Sequence, residues 1–192
     1  MDCRIRYHVK ELQNALITAG VNYGIWWIYK NKETRKKLVE PLTLYYPTSI
    51  GTSQNAHFVA MIIAAYRVFE TRRDTVNLPN LLRLIEKEGV VGEDEILRFK
   101  AKMNRTKKAW VNISIIRNRL FAHRSNDLDA KEIWEEADLT PNKLQSFIED
   151  SKQLLNEITI ARDNSGHAFS QSAIEDTVSM FEDLNAIDRE WT

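Results

Sequence analysis

The stretch Arg117-Asn118-Arg119-Leu120-Phe121-Ala122-His123-Arg124 brings a titratable imidazole, several guanidinium groups and a side-chain amide close together. Histidine exchanges protons near neutral pH. Arginine grips phosphate oxygens in a fork and stabilises charge that builds on them. An asparagine amide can orient a substrate oxygen. This combination suits phosphodiester cleavage without a metal better than acyl transfer. Neither a Ser-His-Asp pattern nor a Gly-rich phosphate loop competes elsewhere in the chain. The same residues also fit a plain helix end, where His and Arg cap carbonyls and meet an acidic tail. Spacing alone leaves both readings open.

The element that must position these groups is a long helix. From about Glu93 to Leu120 or beyond the chain contains neither Gly nor Pro, and Glu93, Asp94 and Glu95 suit the positive end of its dipole. On an ideal wheel, Ile96, Phe99, Met103, Trp110, Ile113, Leu120 and Phe121 form an apolar stripe. Arg117 falls inside that stripe, so it needs a partner, a cleft or an interface, because an unpaired buried charge is very costly. Arg98, Lys102, Arg105, Asn112, Arg119 and His123 lie on an adjoining face, a basic ridge leading towards His123.

Charge follows the same map. Residues 96–126 hold nine basic and no acidic side chains, whereas residues 127–192 hold five basic and sixteen acidic ones, within a chain of net charge +0. The basic stretch can attract a polyanion despite overall neutrality, and the acidic third can equally fold back on it. Absence of carboxylates from Ile96 to Asn126 leaves the motif without the ligands that usually hold catalytic magnesium.

The other elements also read as helices. Leu12, Leu16, Ala19, Tyr23 and Trp27 mark one apolar face over 4–30, with Gly20 and Gly24 as weak points or places of close approach. Trp26, Trp27 and Tyr29 read as packing. Residues 39–52, with Pro41, Pro47 and Gly51, read as a loop. A broad apolar face predicts a central helix over 53–71. A short helix follows over 78–88, with Asn77 as N-cap and Gly89 at its end. Beyond a break near Ser125, the segment Ala130 to Ala137 is amphipathic. Thr140-Pro141 starts a helix running to about Ala161, and a last helix covers about 172–185. His57 reads as a surface or capping residue at a helix start. His8 and His167 read as solvated, and the chain's histidines show no metal-ligand spacing.

With 192 residues, 6 Gly, 4 Pro and 43% hydrophobic residues, the chain suits an all-α globular fold with a full core. The single Cys3 excludes an internal disulfide framework. No apolar run approaches the roughly 20 residues that span a bilayer, and the charged first residues lack a secretory signal. A cytosolic, cytoplasmic protein without membrane contact is expected.

The motif Arg117, Asn118 and His123, an RN-x4-H pattern, resembles the signature of the HEPN superfamily of all-helical domains. IIRNRLFAHR, preceded in order by HFVAMIIAAYRVFE and VNLPNLLRLIE, resembles the abortive-infection AbiU-type branch over about residues 50–126. The resemblance implies a HEPN-type helical bundle with additional C-terminal helices. The HEPN-like domain is expected at 1–162, with an acidic helix and tail at 163–192 packed on it or appended to it. The resemblance further implies a metal-independent endoribonuclease of bacterial defence or toxin–antitoxin type. Such an enzyme works as a homodimer, with RNA as ligand, an antitoxin or other regulatory protein as partner, and no cofactor. By position, His123 becomes the general acid or base, Arg117 binds the scissile phosphate and Asn118 orients the site. Arg119 and Arg124 flank the motif as RNA contacts, and the basic stretch itself offers Arg98, Lys102 and Arg105 as further phosphate contacts. Two rival readings stand beside this one. One is a non-catalytic HEPN-like dimeric module that binds a nucleotide, RNA or a protein. The other is a dimeric scaffold whose basic helix pairs with the acidic third.

Overall fold

A computed structural model describes residues 3–122 and 130–190. Every regular element among them is helical, as the 3.6-residue periodicity predicts. In chain order these are α1 (Cys3–Lys30), α2 (Lys32–Thr34), a π-helical turn (Arg35–Val39), α3 (Glu40–Thr43), α4 (Pro47–Val68), α5 (Leu78–Glu88) and α6 (Glu93–Ile116). A second π-helical turn (Arg117–Ala122) follows, then α7 (Ala130–Ala137), α8 (Pro141–Asp163) and α9 (Ser172–Glu190). No helix of the described residues is long and apolar enough to cross a membrane.

Several helix ends are set by local chemistry. The Asn77 side chain accepts from the Asn80 backbone N–H at 2.7 Å, and Gly89 takes a left-handed φ of 71° that closes α5. Thr140 caps α8 through the Lys143 N–H, with Pro141 just inside. Glu93, Asp94 and Glu95 occupy the first turn of α6. The loop expected over 39–52 is instead largely helix. Pro47 sits in the first turn of α4, where a missing N–H removes no intrahelical bond, and Pro41 follows directly on the Arg35–Val39 turn. The central helix therefore starts at Pro47 rather than Ser53 and ends at Val68, and α9 runs on to Glu190.

The chain forms two compact units: Met1–Ala19 with Ile62–Phe169, and Gly20–Met61 with Ser170–Thr192. In the first, α6 packs against α5, α7 and α8. Its core includes Leu12, Leu81, Ile85, Phe99, Ile113, Phe147 and Leu155, all essentially inaccessible to solvent. Burying each such side chain contributes about 1.5–3 kcal/mol. In the second unit, α9 lies on α3 and the Arg35–Val39 turn, closing a core of Ile25, Ile28, Tyr29, Leu38, Leu42 and Phe181. Trp26 packs on Phe58 with ring centroids 5.4 Å apart, so this aromatic cluster serves packing.

Gly24 allows close approach within the second unit. A Cβ added there would overlap the Ile174 side chain, lying 2.8 Å from its Cγ1. Alanine would gain about 1 kcal/mol of helix propensity, against about 1–3 kcal/mol for overpacking. Gly24→Ala alone should therefore be neutral to destabilising. Combined with Ile174→Ala, it should recover the propensity gain. Urea unfolding of the four species should give a coupling above about 0.5 kcal/mol, and simple additivity would refute the contact.

Candidate functional site

The basic helix ends in a change of geometry. α6 stays α-helical to Ile116, and Arg117–Ala122 then form the π-helical turn. The i→i+5 pattern holds more residues per turn, and such turns recur at functional sites. It also shifts the phase of every following side chain. Ile96, Phe99 and Ile113 are buried as the wheel predicts, with Ile116 joining them. Leu120 and Phe121, beyond the change, are only half-buried, whereas Asn112, expected on the basic ridge, is buried.

Arg117 meets the requirement set by its place in the stripe. It is half-buried, and its guanidinium carbon lies 4.9 Å from the centroid of the Tyr66 ring on α4. Its Nη1 donates to Asn118 Oδ1 at 2.8 Å. Tyr66 is itself fixed by Trp110. The two rings stack with centroids 5.7 Å apart, and Trp110 Nε1 donates to the Tyr66 carbonyl at 2.9 Å. No carboxylate among the described residues forms an ion pair with Arg117. The guanidinium is therefore oriented by an aromatic face and an amide, neither of which neutralises it. Tyr66 was not legible as a site residue, because it reads as part of the apolar face of its helix.

The remaining basic residues divide. Lys102 donates to both carboxylate oxygens of Glu157 on α8, one at 2.7 Å, and Arg119 pairs with Glu136 on α7. The acidic third thus folds back on these two positions. Arg98 is exposed and pairs with Glu95 at 3.5 Å. Arg105 is exposed beside a cleft of about 250 Å³ that Lys102 also lines. His123 and Arg124 lie outside the described residues. Among the described residues, no group of three or more His, Cys, Asp or Glu is placed to hold a metal ion.

The other histidines differ from expectation. His57 neither caps nor stands free. It is half-buried, with Nδ1 2.7 Å from Asn22 Oδ1 and its ring stacked on Tyr29, and burial pushes its imidazole below the ordinary value. His8 is buried rather than solvated, at 7% exposure, because it sits one turn before Leu12 on the same face of α1. His167 is half-buried, its backbone N–H donating to Asn156 Oδ1 at 2.9 Å.

The Arg117–Tyr66 contact is open to direct measurement. Tyr66→Phe should leave stability unchanged, since the ring face is kept. A double-mutant cycle of Tyr66→Leu with Arg117→Ala should show about 0.5–1 kcal/mol of coupling. A cycle without coupling would mean that the ring does not hold the guanidinium.

A family model for HEPN_AbiU2, described as AbiU2, matches residues 2–180. No curated protein and no solved structure matches the chain.

Proposed function

The chain belongs to the AbiU2 family of HEPN domains, and from that premise we propose that it is a metal-independent endoribonuclease acting through Arg117, Asn118 and His123. The observation that carries this reading is the state of Arg117: oriented by Tyr66 and Asn118, half-exposed, and free of any carboxylate partner among the described residues. A guanidinium kept this way can take a phosphate. One locked in an ion pair would first have to release its partner.

In the proposed reaction, the 2′-hydroxyl oxygen of the RNA attacks the adjacent phosphorus. The bond from phosphorus to the 5′-oxygen breaks, leaving a 2′,3′-cyclic phosphate and a 5′-hydroxyl. An imidazole takes the proton from the nucleophile, and an imidazolium gives one to the leaving oxygen. In a homodimer that brings both motifs to one cleft, two copies of His123 divide these roles. Arg117 stabilises the charge building on the phosphoryl oxygens. Asn118 holds Arg117 in line. Arg105, exposed on α6, contacts the RNA backbone together with Arg98 and Arg124. Lys102 and Arg119 contribute only where their carboxylate partners yield. The biological setting that fits is bacterial phage defence by abortive infection or a toxin–antitoxin pair, with a regulatory protein controlling the activity.

Purified protein should cleave RNA in EDTA and fail on a substrate with 2′-deoxyribose at the scissile position. His123→Ala should lower the chemical step by about 10²–10⁴-fold, the usual loss for general acid–base help. Arg117→Ala should do comparable harm while circular dichroism stays unchanged, and His57→Ala should do little. Activity lost in EDTA, or cutting of the deoxy substrate, would overturn the mechanism.

Assembly has its own check. Light scattering should report a dimer. Mixing wild-type chains with an excess of His123→Ala chains should lower the activity per wild-type chain if the two copies share one cleft. A fully active strict monomer would refute the shared site.

A further inference from the structure

A charged cavity of the first unit is lined by none of the described motif residues. It has a volume of about 580 Å³ and opens between the first turns of α1, the end of α4 with the loop after it, and α5. Its cations come from three separate chain segments: Arg4 from α1, Arg67 and Arg73 from α4 and its loop, and Arg83 and Lys87 from α5. Three carboxylates share the wall, Glu11, Glu70 and Asp74. Asp74 is already committed to Arg72 through bonds of 2.6 and 3.1 Å, which hold its carboxyl below the ordinary range. Arg83 donates to the Pro79 carbonyl and the Asn80 side chain, and among the described residues neither Glu11 nor Glu70 forms an ion pair with Arg67, Arg73 or Arg83. Opposite charges that line one cavity without pairing across it are placed for something between them.

A second observation points the same way. His8 lies in the wall, 7% exposed, and its Nδ1 is buried with no hydrogen-bond partner. Buried polar nitrogens are almost always satisfied, so an orphan in a cavity wall marks a place where a partner is missing.

We propose that this cavity binds a small hydroxylated phosphate monoester, with guanidinium groups of its wall, Arg67 and Arg73 first, on the phosphate and Glu11 and Glu70 on the hydroxyls. Phosphate fits better than carboxylate because its tetrahedral oxygens can be reached from several directions, as guanidinium groups from three segments require. The volume exceeds a bare phosphate and matches ordinary small-ligand sites. Carboxylates accept hydrogen bonds from ligand hydroxyls, which gives Glu11 and Glu70 a role that an all-phosphate ligand would leave empty. This site is independent of the cleavage reading.

The probe is ribose 5-phosphate, with inorganic phosphate and ribose as controls, titrated calorimetrically into the full chain. The His8 ring resonances are followed in parallel by NMR. Saturable binding of ribose 5-phosphate is expected, weaker for inorganic phosphate and absent for ribose, with a shift at His8. Burial and the Arg4 charge lower the His8 pKa in the free protein, and a bound dianion should raise it. Exposed Arg67 and Arg73, changed together to Ala, should weaken binding at least about tenfold without altering the circular-dichroism spectrum. His123→Ala should leave it unchanged. No saturation at millimolar ligand, equal affinity in the double variant, or loss of binding in His123→Ala would each overturn the proposal.

Discussion

A guanidinium group cannot lie in the apolar face of a packed helix without something to receive it, and Arg117 stands in that position. Three features answer the constraint together. The backbone leaves the α-helical repeat at Arg117 and continues as a π-helical turn. Tyr66 offers its ring face, and Asn118 offers its amide oxygen. None of these neutralises the charge. A structural solution was available in the acidic residues of the last third, which reach Lys102 and Arg119. Among the described residues, no carboxylate of the last third pairs with Arg117.

The charge segregation acquires a physical meaning from the same pairs. Surface ion pairs contribute only about 0–1 kcal/mol each, so Lys102–Glu157 and Arg119–Glu136 add little stability. Their larger effect is on the field. Charges more than about 8 Å apart are largely screened at physiological salt, so the whole-chain neutrality matters less than what lies beside each cation. Along α6, Arg105 remains exposed on a helix whose neighbours are partly neutralised. The field of this helix is then set locally, by which of its cations have a carboxylate beside them, instead of by a continuous ridge.

Much of this was legible in the sequence, and what was not has identifiable causes. Asn77, Gly89 and the Thr140–Pro141 step announced helix ends because capping is local chemistry. The loop reading of 39–52 failed because a proline marks a helix start as readily as an interruption, and nothing local decides between them. The wheel placed Ile96, Phe99 and Ile113 correctly and misplaced Leu120 and Phe121 within the π turn, since a wheel assumes one repeat throughout. Burial of His8 was readable from its spacing to Leu12, whereas the role of Tyr66 depends on a contact made across the fold. The family motif was visible at Arg117 and Asn118, but what holds Arg117 was not.

Tyr66 and Arg67 are neighbours in the last turn of α4, yet one packs on the motif arginine and the other lines the charged cavity of about 580 Å³. Successive residues on a helix point about 100° apart, so one turn can serve two faces. Sharing a turn would couple the two regions only if that turn had two arrangements for a ligand to choose between. Ala65, Val68 and Phe69 argue against that freedom. Ala65 and Val68 are fully inaccessible and Phe69 nearly so, with the Phe69 ring packed 5.4 Å from that of Phe147. Moving the turn would open voids around all three, and close-packed interiors resist that. The end of α4 is therefore a fixed wall between Arg117 and the charged cavity, and a ligand held by Arg67 is expected to leave Arg117 where it stands.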